Sequence, residues 1–556
     1  MKTAEAFARA LSQHGVDTVF GVLGDGNMHW VAAYRGLAGC RWRPAWHEAG
    51  AVGMADGFAV TAGRIGVATV TMGPGLAQSL AALTAAVRTR SSVLLITAEV
   101  AGTAPVQAQA ADQRAWVQAC GASYLAVGSA SELPGQLARA FGLVRNGMPC
   151  VLAISLAAFA EPAAAFVLPP PSTPPHQPPA SADRQSATDL LRRAARPVVL
   201  IGRGAGANEC QDRLAELVRR LGAVVLTTVQ AKGETPSAGL TLGVGGMMAS
   251  PLARRVLIEA DLLIVVGASL DVYNTDRGAV TAAKPVIRID RQPILDRWTP
   301  AKAAILELEG DAGSVVADLL AQLGDHHSTG WRDTALTADV VKEAGRLRSL
   351  AGLLTDDGPN PYAVVRTLDQ ELPADARVVV GIGHFWYYVA PYLDAAAGRS
   401  FQFGCGFASI GQGLSLAIGA AVAERDRLVV AIEGDGSMAM NIQELQTAVR
   451  FGVELLVLVL DNSGYGSEYY KLLLDGLDPE TGTFDKPLDT VAVARACGVD
   501  AEQVSSVAEL GPAVRKALRA RGVRLVNISI ARSLMSEVYE RQHGALPTTT
   551  SGVHHA

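Results

Sequence analysis

Asp435 and Asn462 are the residues from which the chemistry of this chain can first be read. Asp435 lies within Gly434-Asp435-Gly436, and Asn462 within Asp461-Asn462-Ser463-Gly464. A carboxylate and an amide oxygen aimed at one point are hard donors for a small divalent cation. Gly434 and Gly436 let backbone approach a phosphate, and the helix opening at Ser437 turns unpaired N–H groups and a positive dipole end toward it. Carboxylate, amide oxygen and phosphate together make a magnesium site. A Gly-Asp-Gly triplet alone is equally ordinary turn chemistry, and the spacing to Asn462 is what separates the two readings.

The elements that bring the pair together follow from hydrophobic periodicity. Residues 427–433 read as a buried strand, 438–450 as a helix closed by Gly452, and 453–460 as a second buried strand. In such a βαβ unit the strands run parallel. Asp435 and Asn462 therefore emerge side by side at the carboxyl ends, where open α/β sheets place their ligands.

Four further segments carry unusual residues: His47-Glu48-Ala49-Gly50 continuing to Met54-Ala55-Asp56-Gly57-Phe58, Thr71-Met72-Gly73-Pro74-Gly75, Ala408-Ser409-Ile410-Gly411, and Gly381-Ile382-Gly383-His384. Together with the Asp435 and Asn462 segments they resemble the thiamine diphosphate enzymes of the pyruvate decarboxylase, acetolactate synthase and benzoylformate decarboxylase superfamily. The resemblance implies that Asp435, Asn462 and the backbone carbonyl of Gly464 hold Mg²⁺, with diphosphate oxygens and a water completing an octahedron. It places Gly434, Gly436 and Ser437 against the diphosphate, and His384 beside it. Glu48 becomes the glutamate that hydrogen-bonds N1′ of the aminopyrimidine, favouring the imino tautomer that removes the C2 proton of the thiazolium; the cofactor carries the hard chemistry. Gly73 and Gln78 lie beside the pyrimidine, the carbonyl of Ala408 receives the 4′-amino group, and Ile410 wedges between the two rings. Two positions depart from the family pattern: Asp461 and Gln78 each stand where an asparagine is usual.

Three residues bear on the reaction. Gly24-Asp25-Gly26-Asn27 resembles the loop whose aspartate overhangs the thiazolium in 2-oxo acid decarboxylases, and Glu468 stands where those enzymes carry a proton-relaying glutamate. Two acids near one carbon perturb each other's pKa and can supply and remove protons near neutrality. Asp25 as a turn residue and Glu468 as a solvated helix-start residue are the plain alternatives. The paired histidines of the decarboxylases are missing: residues 107–113 read QAQAADQ, closer to the glutamine-bearing loop of ligating members, with Gln109 as the candidate. The aromatic group Phe385, Trp386, Tyr387, Tyr388, Tyr392, Tyr469 and Tyr470 reads chiefly as core or subunit interface, with a wall for a large acyl group as the second reading.

The resulting expectation is an enzyme that cleaves the carbon–carbon bond next to a carbonyl, by 2-oxo acid decarboxylation with carboligation to a 2-hydroxyketone as an accompanying outcome. A dedicated acetolactate synthase-like carboligase or lyase is the alternative, and a flavin-linked pyruvate oxidase type the third. A non-catalytic relative is disfavoured because Glu48, Asp435 and Asn462 are all present.

Composition sets the frame. With 556 residues there is room for three domains, and 49% hydrophobic residues supply their cores. A net charge of −5 gives no field that would gather nucleic acid or anionic membrane. Six cysteines without CxxC spacing read as reduced thiols of a cytoplasmic protein. The amphipathic start, with Ala6, Phe7, Ala10 and Leu11 on one face, reads as a helix and not as a signal peptide. No apolar run reaches the ~18 residues needed to span a bilayer.

A proline-rich segment, Pro169-Pro170-Pro171 through Pro178-Pro179, marks a stiff linker. The expected organisation is an N-terminal pyrimidine-binding domain (1–168), linker (169–186), central Rossmann-like domain (187–330), linker helix (331–357), C-terminal diphosphate- and Mg-binding domain (358–535) and tail (536–556). Alternating strands and helices predict an α/β fold of three doubly wound parallel-sheet domains. Gly202-x-Gly204-x-x-Ala207 imitates a dinucleotide fingerprint, but the next strand ends in Thr227-Thr228 with no acid for a ribose hydroxyl. FAD across this domain is not expected, though the sequence leaves it open. The resemblance also implies a homodimer or homotetramer in which Glu48 of one subunit meets the diphosphate held by another.

Overall fold

A computed structural model describes residues 1–100, 108–168, 179–206, 208–293, 304–332, 334–395 and 398–545. Short apolar runs rich in valine, leucine and isoleucine, each followed by a turn and a helix, form three six-stranded sheets. Strands buried on both faces in this way need helices on either side, the condition for parallel pairing.

The first sheet contains β1 (Thr18–Gly21), β2 (Arg41–Pro44), β3 (Gly66–Thr69), β4 (Val93–Glu99), β5 (Ser123–Val127) and β6 (Cys150–Ser155), in the order β2-β1-β3-β4-β6-β5. The second contains β7 (Pro197–Ile201), β8 (Val224–Thr227), β9 (Leu240–Val244), β10 (Leu262–Val266), β11 (Val286–Asp290) and β12 (Ile305–Glu309), in the order β12-β11-β10-β7-β8-β9. The third contains β13 (Arg377–Val380), β14 (Ser400–Phe403), β15 (Val429–Gly434), β16 (Leu455–Asp461), β17 (Asp500–Val504) and β18 (Val523–Ser529), in the order β14-β13-β15-β16-β18-β17. The pairings of all three sheets are parallel, so the α/β expectation holds. The middle sheet has the doubly wound order of dinucleotide-binding folds.

The first and third sheets share one strand order, a duplication with no counterpart in the local sequence. In both, strand order reverses between the first and third strands (β1 and β3, β13 and β15), opening a crevice at the carboxyl ends where such sheets bind ligands. The turns after β1, β2 and β3 carry Asp25, Glu48 and Gly73. Those after β13, β14, β15 and β16 carry His384, Ala408 with Ile410, Asp435, and Asn462.

The two sheets are bridged by helix Glu48–Ala62 from the first and helix Gly413–Ala423 from the third, both buried over most of their length. Gly57 meets the Leu416 backbone, and Gly419 meets the Met54 backbone, so main chain lies directly on main chain.

One expected element is corrected. The helix placed at 438–450 starts earlier and is divided into Asp435–Asn441 and Glu444–Phe451. Gly434 in extended conformation lets the first turn begin at Asp435 itself, and the break follows Asn441, whose amide donates to the carbonyl of Gly411. The proline segment from Pro169 to Pro178, Gln107, Ala207 and residues 546–556 lie outside the described residues. Of the tail, helix Glu537–His543 is ordered, capped by the Ser536 hydroxyl. No helix among the described residues is long and apolar enough to cross a membrane.

Candidate active site

Parallel register sets Gly434 opposite Leu460, so Asp435 stands level with Asp461 at the end of the next strand. The backbone N–H of Gly464 donates to Asp435 Oδ2 at 2.9 Å, closing the turn after β16 onto the turn after β15. Asn462 packs over Gly466, where a Cβ would come 2.5 Å from its amide nitrogen. Asp435, Asn462 and Gly464 are therefore brought together, as the spacing implied.

The electrostatics favour a cation. Burial, and then the neighbouring Asp461 carboxylate, push Asp435 up to about 7. Asp461, the departure from the usual asparagine, serves the turn: its Oδ1 accepts the Ser463 N–H at 2.9 Å and its Oδ2 accepts from Asn527 Nδ2 at 2.8 Å. Ser463 is thereby held at φ 55°, a left-handed conformation that an aspartate-capped turn tolerates. Beside Asp435 and Gly436 opens a cleft of about 510 Å³ walled by Met440, Asp461, Tyr465, Phe484 and Lys486. A buried carboxylate facing a second carboxylate, with amide and carbonyl oxygens at hand, is a donor set that fits Mg²⁺.

Glu433, one residue before the Gly-Asp-Gly turn, is a functional candidate the motif comparison missed. It is fully buried, and burial pushes it up to about 7 against the bonds that favour its charge. Its Oε1 accepts the Leu414 N–H at 3.0 Å, and its Oε2 accepts the Ser437 hydroxyl at 2.7 Å. Ser437 Oγ in turn accepts the Gly411 N–H at 2.8 Å. Gly381 and Gly413 leave room for this carboxylate: a Cβ at either would lie 2.8 Å or less from its atoms. Glu433 and Ser437 thus tie the Asp435 turn to the loop bearing Ala408 and Ile410. Ala408 in that loop sits at φ 52°, a conformation rare for alanine, and Ile410 packs half-buried against the core of the third sheet. The only sequence signal for Glu433 was an acid closing the apolar run LVVAI.

The motifs of the first sheet meet around the Thr71–Gly75 turn. Asn27 is buried and closes its own loop, accepting the Gly24 N–H at 2.9 Å and donating to the Val22 carbonyl at 2.9 Å. Gly24 abuts the Thr71 side chain, which leaves Asp25 exposed at the loop tip. Glu48 is the first residue of helix Glu48–Ala62, half-buried, with its Oε1 3.6 Å from where a Gly75 Cβ would stand. Gly73 has φ 63°, and a Cβ there would strike the Gln109 backbone.

Three further expected residues are placed as follows. Gln109 lies with its backbone against Gly73, whose N–H donates to Oε1 of buried Gln113 at 2.9 Å. Gln78 is exposed on helix Pro74–Arg88. Glu468 is exposed in the first turn of helix Gly466–Leu474, 3.3 Å from Lys471, as its plain reading had it.

His384 is buried among Tyr470, Tyr539 and Tyr388, with ring centroids 4.4, 4.8 and 5.3 Å away. Burial pushes it down to about 3, and Nε2 has no hydrogen-bond partner among the described residues. The tyrosine hydroxyls bond backbone carbonyls: Tyr470 to Arg532 at 2.6 Å, Tyr539 to Ser467 at 2.8 Å, and Tyr388 to Leu534. Tyr388 and Tyr470 of the aromatic group are accordingly core, with their polar ends satisfied internally, while Tyr387, Tyr392 and Tyr469 are half-buried.

Three family models match along the chain, all described as thiamine pyrophosphate enzyme domains: the N-terminal TPP binding domain over residues 1–116, the central domain over 184–319, and the C-terminal TPP binding domain over 381–528. The acetolactate synthase isozyme 2 large subunit of Escherichia coli K12 is 28% identical over 550 residues, 95% of this chain and 96% of its own length. A probable 2-ketoarginine decarboxylase of Pseudomonas aeruginosa is 29% identical over 545 residues, 95% and 94% of the two chains. A sulfoacetaldehyde acetyltransferase of Alcaligenes xylosoxydans is 27% identical over 553 residues, 93% and 90%.

Proposed function

This chain belongs to the thiamine pyrophosphate enzymes, and on that premise we propose that it cleaves the carbon–carbon bond beside the carbonyl of a 2-oxo acid, releasing carbon dioxide and passing the remainder on as an aldehyde or a 2-hydroxyketone. The observation that carries the proposal is the Asp435 turn, a buried carboxylate beside the Asp461 carboxylate with Asn462 and Gly464 drawn up to it. Relatives named as a decarboxylase, as acetolactate synthases and as an acyltransferase support this range of outcomes.

In this reading Asp435, Asn462 and the Gly464 carbonyl hold Mg²⁺, and the Gly434–Gly436 turn receives the diphosphate. Thiamine diphosphate, when bound, supplies the carbon nucleophile and the electron sink. Glu48 holds a proton between its carboxylate and the pyrimidine N1′. Ile410 and the Ala408 carbonyl orient the ring system. Asp25 and Glu468 move protons at the substrate end, and Gln109 is the glutamine of the loop that resembles the ligating members.

The reading includes a homodimer or homotetramer with sites between subunits. Leu23, Met28, Trp46, Phe407, Met440 and Tyr465 support it, being exposed apolar residues on the turns and short helical starts that follow strands of the first and third sheets. It includes a cytoplasmic setting, supported by six free cysteines. FAD is left out, and a yellow chromophore in purified protein would move the chain to the flavin-linked class.

The test is incubation with thiamine diphosphate, Mg²⁺ and a panel of aliphatic and aromatic 2-oxo acids, following carbon dioxide and carbonyl products by mass spectrometry. Aldehyde matching the acid establishes a decarboxylase, and hydroxyketone without aldehyde a carboligase. Silence across the panel overturns the proposal.

A further inference from the structure

Helix Glu444–Phe451 of the third domain grips the turn that delivers Glu48. Glu444 is fully buried, and its Oε1 accepts two backbone N–H groups, from Trp46 at 3.1 Å and from His47 at 2.9 Å. Gly50 is the residue that makes room for it, since a Cβ there would lie 2.7 Å from Oε1. Nearly two turns further along the same helix, Arg450 donates to the Pro44 carbonyl at 2.8 Å, and its guanidinium lies 5.3 Å from the Trp46 ring. Gln446 accepts the Trp46 indole N–H at 2.9 Å.

These contacts are of two kinds. Arg450 and Gln446 hold the outside of the turn through exposed groups, which contribute little. Glu444 holds the inside, where a charged acceptor shared by two N–H groups is a strong constraint. Both N–H groups belong to the residues immediately before Glu48. His47 then caps the helix, its Nδ1 accepting the Ala49 N–H at 3.1 Å. The direction in which the first turn starts, and with it the Glu48 side chain, is therefore set by a carboxylate some four hundred residues away in sequence.

We propose that Glu444 is a positioning residue for Glu48, fixing through the Trp46 and His47 amides the turn from which Glu48 reaches the cofactor. The proposal rests on the reading of Glu48 as the group that meets N1′. Glu444 does not touch the cofactor in this account. Its contribution is the placement of Glu48, for which a displacement of about 1 Å is worth on the order of 10²-fold in rate.

Two measurements test it. The first uses cofactor-free protein: amide hydrogen exchange in the peptide covering residues 44–50 should be faster in Glu444→Ala and close to wild type in Glu444→Gln, whose amide oxygen still accepts both N–H groups. The second loads each protein with saturating thiamine diphosphate and Mg²⁺ and follows C2 proton exchange in D₂O by quench and NMR. Glu444→Ala should slow exchange on the order of 10²-fold, with calorimetric cofactor affinity held within a few-fold and Glu444→Gln restoring the rate. Gly50→Ala, which pushes the carboxylate aside without removing it, should slow exchange likewise and stands in if Glu444→Ala fails to fold. Arg450→Ala, which loosens only the outer contacts, should exchange at the wild-type rate.

Unchanged amide exchange at residues 44–50, or C2 exchange at the wild-type rate in Glu444→Ala beside a slow Glu48→Gln, overturns the positioning role alone. Wild-type C2 exchange in Glu48→Gln overturns the assignment of Glu48 and this proposal with it.

Discussion

Replacing Gly57 by alanine should force apart the two helices that bridge the first and third sheets. An alanine Cβ at position 57 would lie 2.7 Å from the carbonyl carbon of Leu416 and 2.9 Å from its Cα. Non-bonded carbons settle at about 3.5–4.0 Å, so the crossing has to open by roughly 1 Å. The atoms met are backbone and cannot swing away. Gly419 makes the reciprocal contact, with 2.7 Å to the Met54 carbonyl carbon, which blocks escape by sliding. Overpacking costs about 1–3 kcal/mol, occasionally more, while alanine in place of a helix-interior glycine returns about 1 kcal/mol. A net loss of about 2 kcal/mol is expected, since rigid neighbours put the cost at the upper end. Gly142 in helix Leu133–Arg145 is the control, because a Cβ there meets nothing within 4 Å. Gly142→Ala should therefore gain up to about 1 kcal/mol. Urea unfolding followed by tryptophan fluorescence and circular dichroism compares the two, and a Gly57→Ala protein as stable as Gly142→Ala would refute the backbone-to-backbone crossing.

Three further outcomes are expected. Asp435 is held near 7 in the folded protein, above its ordinary value of 3.8, so its ionisation opposes folding as pH rises through that window; Asp435→Asn should stabilise cofactor-free protein at pH 8 by up to about 4 kcal/mol yet abolish Mg²⁺-dependent cofactor retention, and normal retention by calorimetry would disprove the metal role. Lys232, buried with its Nζ 2.7 Å from the Ala390 carbonyl, is lowered from 10.5 to about 8 by burial; wild-type stability should rise between those two pH values by up to about 3 kcal/mol, and Lys232→Met should lose that rise, so matching denaturant midpoints across the range would count against it. His384 is lowered from 6.5 to about 3, so stability should fall as pH drops below 6.5, by about 3 kcal/mol at pH 4; His384→Phe should remove that acid sensitivity, and an unchanged acid profile would reject the buried neutral imidazole.

What the sequence made legible was whatever chemistry lies at strand ends. Asp435 and Asn462 were singled out because glycine and acid punctuation at the close of an apolar run marks a ligand-side turn, Glu48 and the Thr71–Gly75 turn because their segments resemble a known family, and the sheets carry all these turns to their carboxyl edges. What stayed hidden depended on pairs far apart in sequence. The bond from the Gly73 N–H to Gln113, forty residues on, has no local signal in the sequence. Glu444 reads as a helix-surface acid unless Trp46 and His47, 398 and 397 residues away, are seen to need an acceptor. The break after Asn441 has the same origin, since the carbonyl that draws its amide belongs to Gly411. The shared strand order of the first and third sheets was equally invisible, because topology is preserved without similarity in local pattern.

Three acids, Glu433, Asp435 and Glu444, are buried within twelve positions, and burial raises all three. Stability alone gives no reason for such a cluster: a carboxylate withdrawn from water costs free energy unless its partners restore what hydration gave. Glu433 is met on both oxygens, by the Leu414 N–H and the Ser437 hydroxyl, and Glu444 on one, by the Trp46 and His47 N–H groups. Asp435 accepts the Gly464 N–H at 2.9 Å and faces the Asp461 carboxylate, a pairing that a cation would relieve. A framework selected only to fold would place an amide or an apolar side chain at 435. Two carboxylates bracing the loops around a third that faces another carboxylate is the arrangement of a site whose last ligand arrives from outside, and the stabilising effect predicted for Asp435→Asn in cofactor-free protein measures that deficit directly.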